Sequence, residues 1–228
     1  MITPEATYTS ALDFIKINDE DSAISTINDF IVNSKKKFWT SIHETIIFLY
    51  VDLLIKKNKS KLLKEALSYY RNISQIGNIE SFQAVISKTK ELIEEKYSKF
   101  QKNNAEVVKF NKKNNKKFIK FSKKLDYFDL DSDYSPELIY TLDDQDDIQE
   151  MVDIINTQKF IWETFKILLD FTKTNSKLLN LYSHILKSAF AFCRENKRKA
   201  EFKRLCDSVR GYLQTLIKSE KKTDFKNK

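Results

Sequence analysis

Apolar residues recur at three- and four-residue steps along most of the chain, which is the period of an α-helix rather than of a β-strand. Five helices are predicted in the first 100 residues, starting near positions 4, 19–21, 36, 59 and 79. Pro4 suits the first turn of the first helix, and Asp19 or Asp21 can cap the second. Gly77, in the sequence QIGN, suits a left-handed position after the fourth helix.

The predicted helices are joined by very short turns, so consecutive helices must pack antiparallel. Helix pairs recur at about 35–45 residues, a spacing typical of degenerate helical repeats. The chain has only two glycines and two prolines, too few for turn-dense sandwiches, barrels or doubly wound sheets. These features predict an all-α fold, a right-handed α-solenoid of antiparallel helix pairs with degenerate tetratricopeptide-like repeats and no sheet.

The middle of the chain changes abruptly in charge. Residues 102–124 contain nine lysines and one acid, Glu106, whereas residues 125–158 contain eleven acids and no lysine or arginine. Residues 126–137 include a proline and are predicted to form a loop. We therefore divide the chain into a helical-repeat segment (1–100), a lysine-rich helix extension with an acidic loop (101–145), and a second helical-repeat segment (146–228).

Three further helices are predicted in the C-terminal segment. Asn175 or Ser176 caps the second of them, and the third is predicted to turn its apolar stripe inward and its charges, Glu201 included, toward solvent. The predicted core residues of the whole chain are Trp39, His43, Tyr70, Trp162, Tyr182, Phe192, Cys193, Phe202, Leu205 and Cys206.

The net charge of +8 allows an anionic partner, and the lysine-rich segment is where such a partner would bind. Two interpretations of this segment remain open. It either grips RNA phosphates without reading bases, or it is a solvated helix extension whose charge offsets the acidic block. The candidate RNA or ribosome contacts are Lys109, Lys112, Lys113, Lys116, Lys117 and Lys120.

The sequence contains few motifs that are typical of catalytic sites. Two isolated glycines cannot form a phosphate-binding loop, and HETII (residues 43–47) has isoleucine where a zinc-protease motif needs its second histidine. His43 and His184 are predicted to be core histidines, and both cysteines are predicted to be inert packing residues. We therefore predict no enzyme, catalytic residue, metal or cofactor. Acidic clusters such as DDQDD (residues 143–147) are interpreted as solvated.

Two cysteines are too few for a disulfide framework, and the chain shows no signal peptide or apolar run long enough to span a membrane. A soluble protein of a reducing compartment, the cytoplasm, is expected, with no membrane partner and no small-molecule substrate.

Two stretches carry a family resemblance. The first is FWTSIHETIIFLYVDLLIKKNKSKLLKEALSYYRNISQIGNIESF (residues 38–82), with Trp39, His43, Glu44 and Ile46 in a Trp-x3-His-Glu-x-Ile pattern. The second is residues 160–213, with the matching motifs NS (175–176), LY (181–182), AF (189–190), FC (192–193), RKAEF (198–202) and LCD (205–207). Together they resemble the N-terminal region of the largest, or a, subunit of eukaryotic translation initiation factor three.

This resemblance implies a non-catalytic scaffold arm that helps to assemble the initiation factor and to dock it on the small ribosomal subunit. Its implied partners are other subunits of the complex, including the c subunit, together with the small ribosomal subunit, with ribosomal RNA and mRNA nearby. The lysine-rich segment looks like an insertion, so no family contact is transferred to it, and the PCI module of the family is expected to lie outside this chain. An autonomous non-specific RNA-binding protein is the alternative.

Overall fold

The computed structural model describes residues 3–33, 39–74, 78–114, 130 and 145–226, with backbone alone at 104–114, 145–151, 216 and 218–226. Every regular element within these ranges is helical, which confirms the predicted all-α class. The helices are α1 (Pro4–Lys16), α2 (Glu20–Asn33), α3 (Ser41–Lys56), α4 (Ser60–Ser74), α5 (Ile79–Asn114), α6 (Gln145–Thr172), a 3₁₀ turn (Ser176–Leu178), α7 (Leu179–Glu195) and α8 (Lys199–Lys226).

The chain forms two compact units. The first consists of Met1–Gln101 together with Glu163–Leu168, and the second consists of Lys102–Trp162 together with Leu169–Lys228. Five helices, α1 to α5, begin in the first unit, and the pair α7 and α8 lies wholly in the second.

Three helix pairs are joined by the same three-residue turn. Its central residue adopts a left-handed conformation, with φ of 60° at Asn18, 57° at Asn58 and 55° at Lys197. The next amide then bonds back across the helix end, as from Asp19 to Phe14 (2.9 Å), Lys59 to Leu54 (3.0 Å) and Arg198 to Cys193 (2.8 Å). This pattern satisfies the last carbonyl groups of the first helix and reverses the chain at once.

The three-residue turns mark the repeating helix pairs along the chain. Helices α1 and α2, α3 and α4, and α7 and α8 pack against each other as pairs. Asn18 and Asn58 stand 40 residues apart in the sequence, within the predicted repeat length. Asparagine tolerates the left-handed region better than most residues, which explains its use at two of the three turns.

The C-terminal end of α3 is held from two sides in the first unit. Lys57 lies 3.4 Å from the Glu20 carboxylate and 3.3 Å from that of Asp21, both at the start of α2. From α5, Lys96 donates to the carbonyl groups of Ile55 and Lys56. Burial lowers the pKa of Lys96 to about 8.

A hydrogen-bonded chain of side chains links the start of α3 to α4 and α5. Trp39 donates its indole N–H to the Tyr70 hydroxyl (2.9 Å), and that hydroxyl also bonds Ser81. Tyr70 is fully buried and Trp39 is half-buried. The prediction that α3 begins near residue 36 is wrong for the residues that the structure describes, because Thr40 is extended and the helix begins at Ser41.

The inward face of α8 differs from the prediction. Glu201 is 1% exposed although it was assigned to solvent, and Phe202 is 43% exposed although it was assigned to the core. The buried positions are Arg198, at the turn before the helix, and Glu201 and Leu205 within it. The buried face therefore includes Glu201 in place of Phe202, the next residue, which the apolar pattern had placed in the core. Phe202 instead packs its edge against the ring of Phe190, with the centroids 5.1 Å apart.

The other predicted core residues fall in three groups. His43, Tyr70, Trp162, Tyr182, Phe192, Cys193 and Leu205 are buried. Trp39 and Cys206 are only half-buried. His184 is exposed on α7, which corrects its assignment to the core.

Replacing Tyr70 by Phe tests the chain of side chains in the first unit. The substitution keeps the ring but removes the acceptor of the Trp39 indole, so we expect the free energy of unfolding to fall by about 1–2 kcal/mol. Urea unfolding measures the loss. Tyr8→Phe, at a half-buried position of α1, is the control and should change stability by less than about 0.5 kcal/mol. Equal effects at the two positions would contradict the role of the Tyr70 hydroxyl.

Candidate nucleic-acid interface

Helix α5 carries the first part of the lysine-rich segment. It is 36 residues long, which corresponds to about 54 Å at the usual rise of an α-helix. Its first half packs through Phe82, Val85, Ile86 and Ile93, all buried, whereas residues 101–103 are exposed. The helix therefore runs from the interior of one packed unit into a stretch dominated by lysine.

The backbone of α5 sets the spacing of three candidate contacts. Lys109, Lys112 and Lys113 follow one another at helical positions i, i+3 and i+4, so they belong to one face of the helix. Lys116, Lys117 and Lys120 lie outside the described residues. Lysines that share one helix face can attract the phosphates of a nucleic-acid backbone, and this attraction weakens as salt is raised.

One histidine and one cysteine, His43 and Cys193, are occupied in packing, whereas His184 is exposed and Cys206 is half-buried. His43 is buried, its Nδ1 lies 2.6 Å from the Thr40 hydroxyl, and its ring lies 5.9 Å from that of Phe30. Cys193 is buried, and burial, followed by the nearby Glu201 carboxylate, raises the pKa of its thiol to about 12. A thiol in this state is a poor nucleophile.

Within the described ranges, no three His, Cys, Asp or Glu side chains are grouped so that they could hold a metal ion. Asp146 and Asp147, from the DDQDD cluster, lie in the first turn of α6, and the other two acids of that cluster are outside the described residues. No helix in the described part of the chain has the length and apolar character needed to cross a membrane.

The second unit contains a buried cluster of polar side chains that the sequence pattern did not predict. Arg198 and Glu201 are 2% and 1% exposed, and the Arg198 guanidinium donates to the side-chain oxygen of Gln158 on α6. The Gln158 amide in turn donates to the Asn196 side chain at 3.4 Å. The signal that could have found it was the register of Arg198, Glu201 and Leu205, at steps of three and four, directly after the turn.

Comparison with known proteins gives one consistent result. The family model described as "eIF3a, PCI domain, TPR-like region" matches residues 5–228. The A subunit of eukaryotic translation initiation factor 3 from Danio rerio is 33% identical over 214 residues, covering 92% of this chain and 16% of that protein. The corresponding proteins of Homo sapiens and Nicotiana tabacum are 31% and 28% identical, over 92% and 97% of this chain and 14% and 22% of their own lengths. The chain thus spans about a sixth of the length of the Danio relative.

The thiol of Cys193 is expected to be unreactive in the folded protein. In a Cys206→Ser variant, which keeps Cys193 as the single thiol, we expect Ellman's reagent at pH 8 to react at least about a hundredfold more slowly without urea than in urea.

The pKa of the Cys193 thiol is higher in the folded protein than in the unfolded chain. Its contribution to the free energy of unfolding is therefore complete below about pH 9 and falls as pH rises toward 12.

A Cys193→Ser variant is the matched comparison, because its remaining thiol, Cys206, is half-buried. Its native reaction should be clearly faster. If Cys193 reacts in the folded protein as fast as Cys206, the assignment of Cys193 to the packed interior is wrong.

Proposed function

The chain belongs to the eIF3a family of translation initiation factor proteins, and we propose that it acts as a non-catalytic scaffold arm of eukaryotic translation initiation factor 3. In this proposal it binds other subunits, including the c subunit, and helps to dock the complex on the small ribosomal subunit in the cytoplasm. The observation that carries the proposal is the match to one family over nearly the whole chain.

The helical pairs support an arm that works through its surface. Three-residue turns and buried helix faces fix the backbone of each unit, as at Asn18 and Asn58 in the first and Lys197 in the second. Helical repeats of this kind bind partners through extended surfaces formed by successive pairs. His43 in the first unit and Cys193 in the second are used for packing.

The lysine face of α5 supplies the electrostatic part of the proposal. Lys109, Lys112 and Lys113 share one face of a helix whose first half is anchored in a packed interior. Ribosomal RNA presents phosphates at its surface, and lysines bind phosphates without distinguishing bases. This face therefore adds affinity for the small ribosomal subunit, while the surfaces of the helix pairs determine which assembly is recognised.

Co-sedimentation with purified small ribosomal subunits, over a series of salt concentrations, tests the proposal. Lys109, Lys112 and Lys113 are changed to glutamate together, and Lys59, Lys61 and Lys64, which are exposed on and before α4, are changed together as the control. Both variants alter the net charge equally. We expect the α5 variant alone to bind more weakly and to reduce the log–log salt slope by about 2–3.

Naked RNA of matched length distinguishes the two functions. If it does not displace the wild-type chain from small subunits, the scaffold function is supported. If any RNA displaces the chain fully, the chain is instead an autonomous non-specific RNA-binding protein. Equal binding by both triple variants and the wild type would show that the α5 lysines make no contact.

A further inference from the structure

Leu130 is packed into the second unit, and it is the one residue that the structure describes between positions 114 and 145. Leu130 is fully buried, and its backbone N–H donates to the Glu201 carboxylate at 2.8 Å. The two residues are 71 positions apart in the sequence. Leu130 stands between Asp129 and Asp131, in a region whose composition is typical of a solvated loop. Its burial therefore needs a specific partner.

Glu201 is held in an unusual position for a charged side chain. It is 1% exposed, and a buried carboxylate is strongly unfavourable unless donors or an opposite charge compensate it. The Leu130 amide is one such donor. Arg198, one helical turn before Glu201 and also buried, supplies a positive charge, and its guanidinium is positioned by Gln158. The Cys193 thiol near both groups remains neutral, because burial raises its pKa to about 12.

We propose that Glu201, Arg198 and Gln158 form a docking site whose ligand is a leucine-bearing peptide segment, and that the chain fills this site with its own Leu130. The site recognises an apolar side chain and a backbone N–H, which donates to the carboxylate. Docking fixes Leu130 to the second unit through Glu201 of α8. This site is separate from the lysine face and does not depend on the scaffold function.

The turn before α8 determines which residues of this helix, Glu201 among them, face the interior of the second unit. The left-handed Lys197 reverses the chain, and the Phe202 amide bonds the Arg198 carbonyl at 3.0 Å to open the helix. Residues 198, 201 and 205 then lie on the inward face of α8. Glu201 occupies the middle position, between a buried guanidinium and the buried Leu205.

Limited proteolysis of the full chain with an enzyme that cleaves at aspartate and glutamate tests the docking site. Cleavage within residues 125–144 then reports how often Leu130 leaves the site, provided that opening and closing are fast compared with cleavage. Leu130→Ala removes most of the buried side chain, and we expect cleavage there to accelerate by about tenfold or more. Leu213→Ala, at a 51% exposed position of α8, is the control and should leave the rate unchanged.

Glu201→Gln and Glu201→Ala separate the hydrogen bond from general packing. Glutamine keeps an oxygen that can accept from the Leu130 amide, so we expect less acceleration with Gln than with Ala. Leu130→Ala removes the buried side chain but keeps the backbone N–H, so Glu201→Ala removes a different contact of the same docked residue. Combining the two changes should therefore accelerate cleavage more than either change alone.

Far-UV circular dichroism and a thermal melt establish that each variant is folded before its cleavage is compared. If Glu201→Ala does not fold, Leu130→Ala and Glu201→Gln still carry the test. Faster cleavage in Leu130→Ala, with Leu213→Ala at the wild-type rate, supports the docking site. Equal cleavage of Leu130→Ala and the wild type overturns it, and so does a folded Glu201→Ala variant that is cleaved at the wild-type rate.

Discussion

The three-residue turn is the constraint on which the helix pairs of this protein depend. Its central residue, Asn18, Asn58 or Lys197, is left-handed. This conformation reverses the chain, so that only three residues separate the end of one helix from the start of the next. Each helix carries an apolar stripe, and with so short a turn the nearest surface that can cover it is that of its own partner. Antiparallel pairing follows from this local geometry, and the lengths of the helices and of the segment between α2 and α3 set the 40-residue spacing of Asn18 and Asn58.

The helices could be predicted from sequence because their apolar positions repeat at three and four residues, and family membership could be predicted because its motifs are spread over both units. The start of α3 could not be predicted, because the spacing of apolar residues does not indicate that the backbone of Thr40 is extended. The face of α8 was misassigned for a related reason. A charged residue in the pattern is taken as a mark of the surface, whereas Arg198 and Glu201 are buried and bond to Gln158 and to the Leu130 amide, respectively.

The candidate interface was predictable only in part. The lysine run gives the charge, and the helical backbone of α5 gives a common face to Lys109, Lys112 and Lys113. No pattern in the sequence connects Leu130 with Glu201, since a contact over 71 residues depends on tertiary packing. The charged middle of the chain thus has two different parts. Helix α5 continues into the basic part, and Leu130, in the acidic part, is buried in the second unit.

Hydrogen–deuterium exchange of the chain, alone and mixed with small ribosomal subunits, tests most directly the proposed contact of α5 with the ribosome. The account predicts new protection of the amides in residues 102–114 of α5, lost when Lys109, Lys112 and Lys113 are changed to glutamate. The buried residues of each unit, such as Tyr70 in the first and Trp162 in the second, should exchange equally slowly in both states. Protection confined to α1–α4, with the lysine end of α5 exchanging as in the free chain, would contradict the electrostatic role given to that helix.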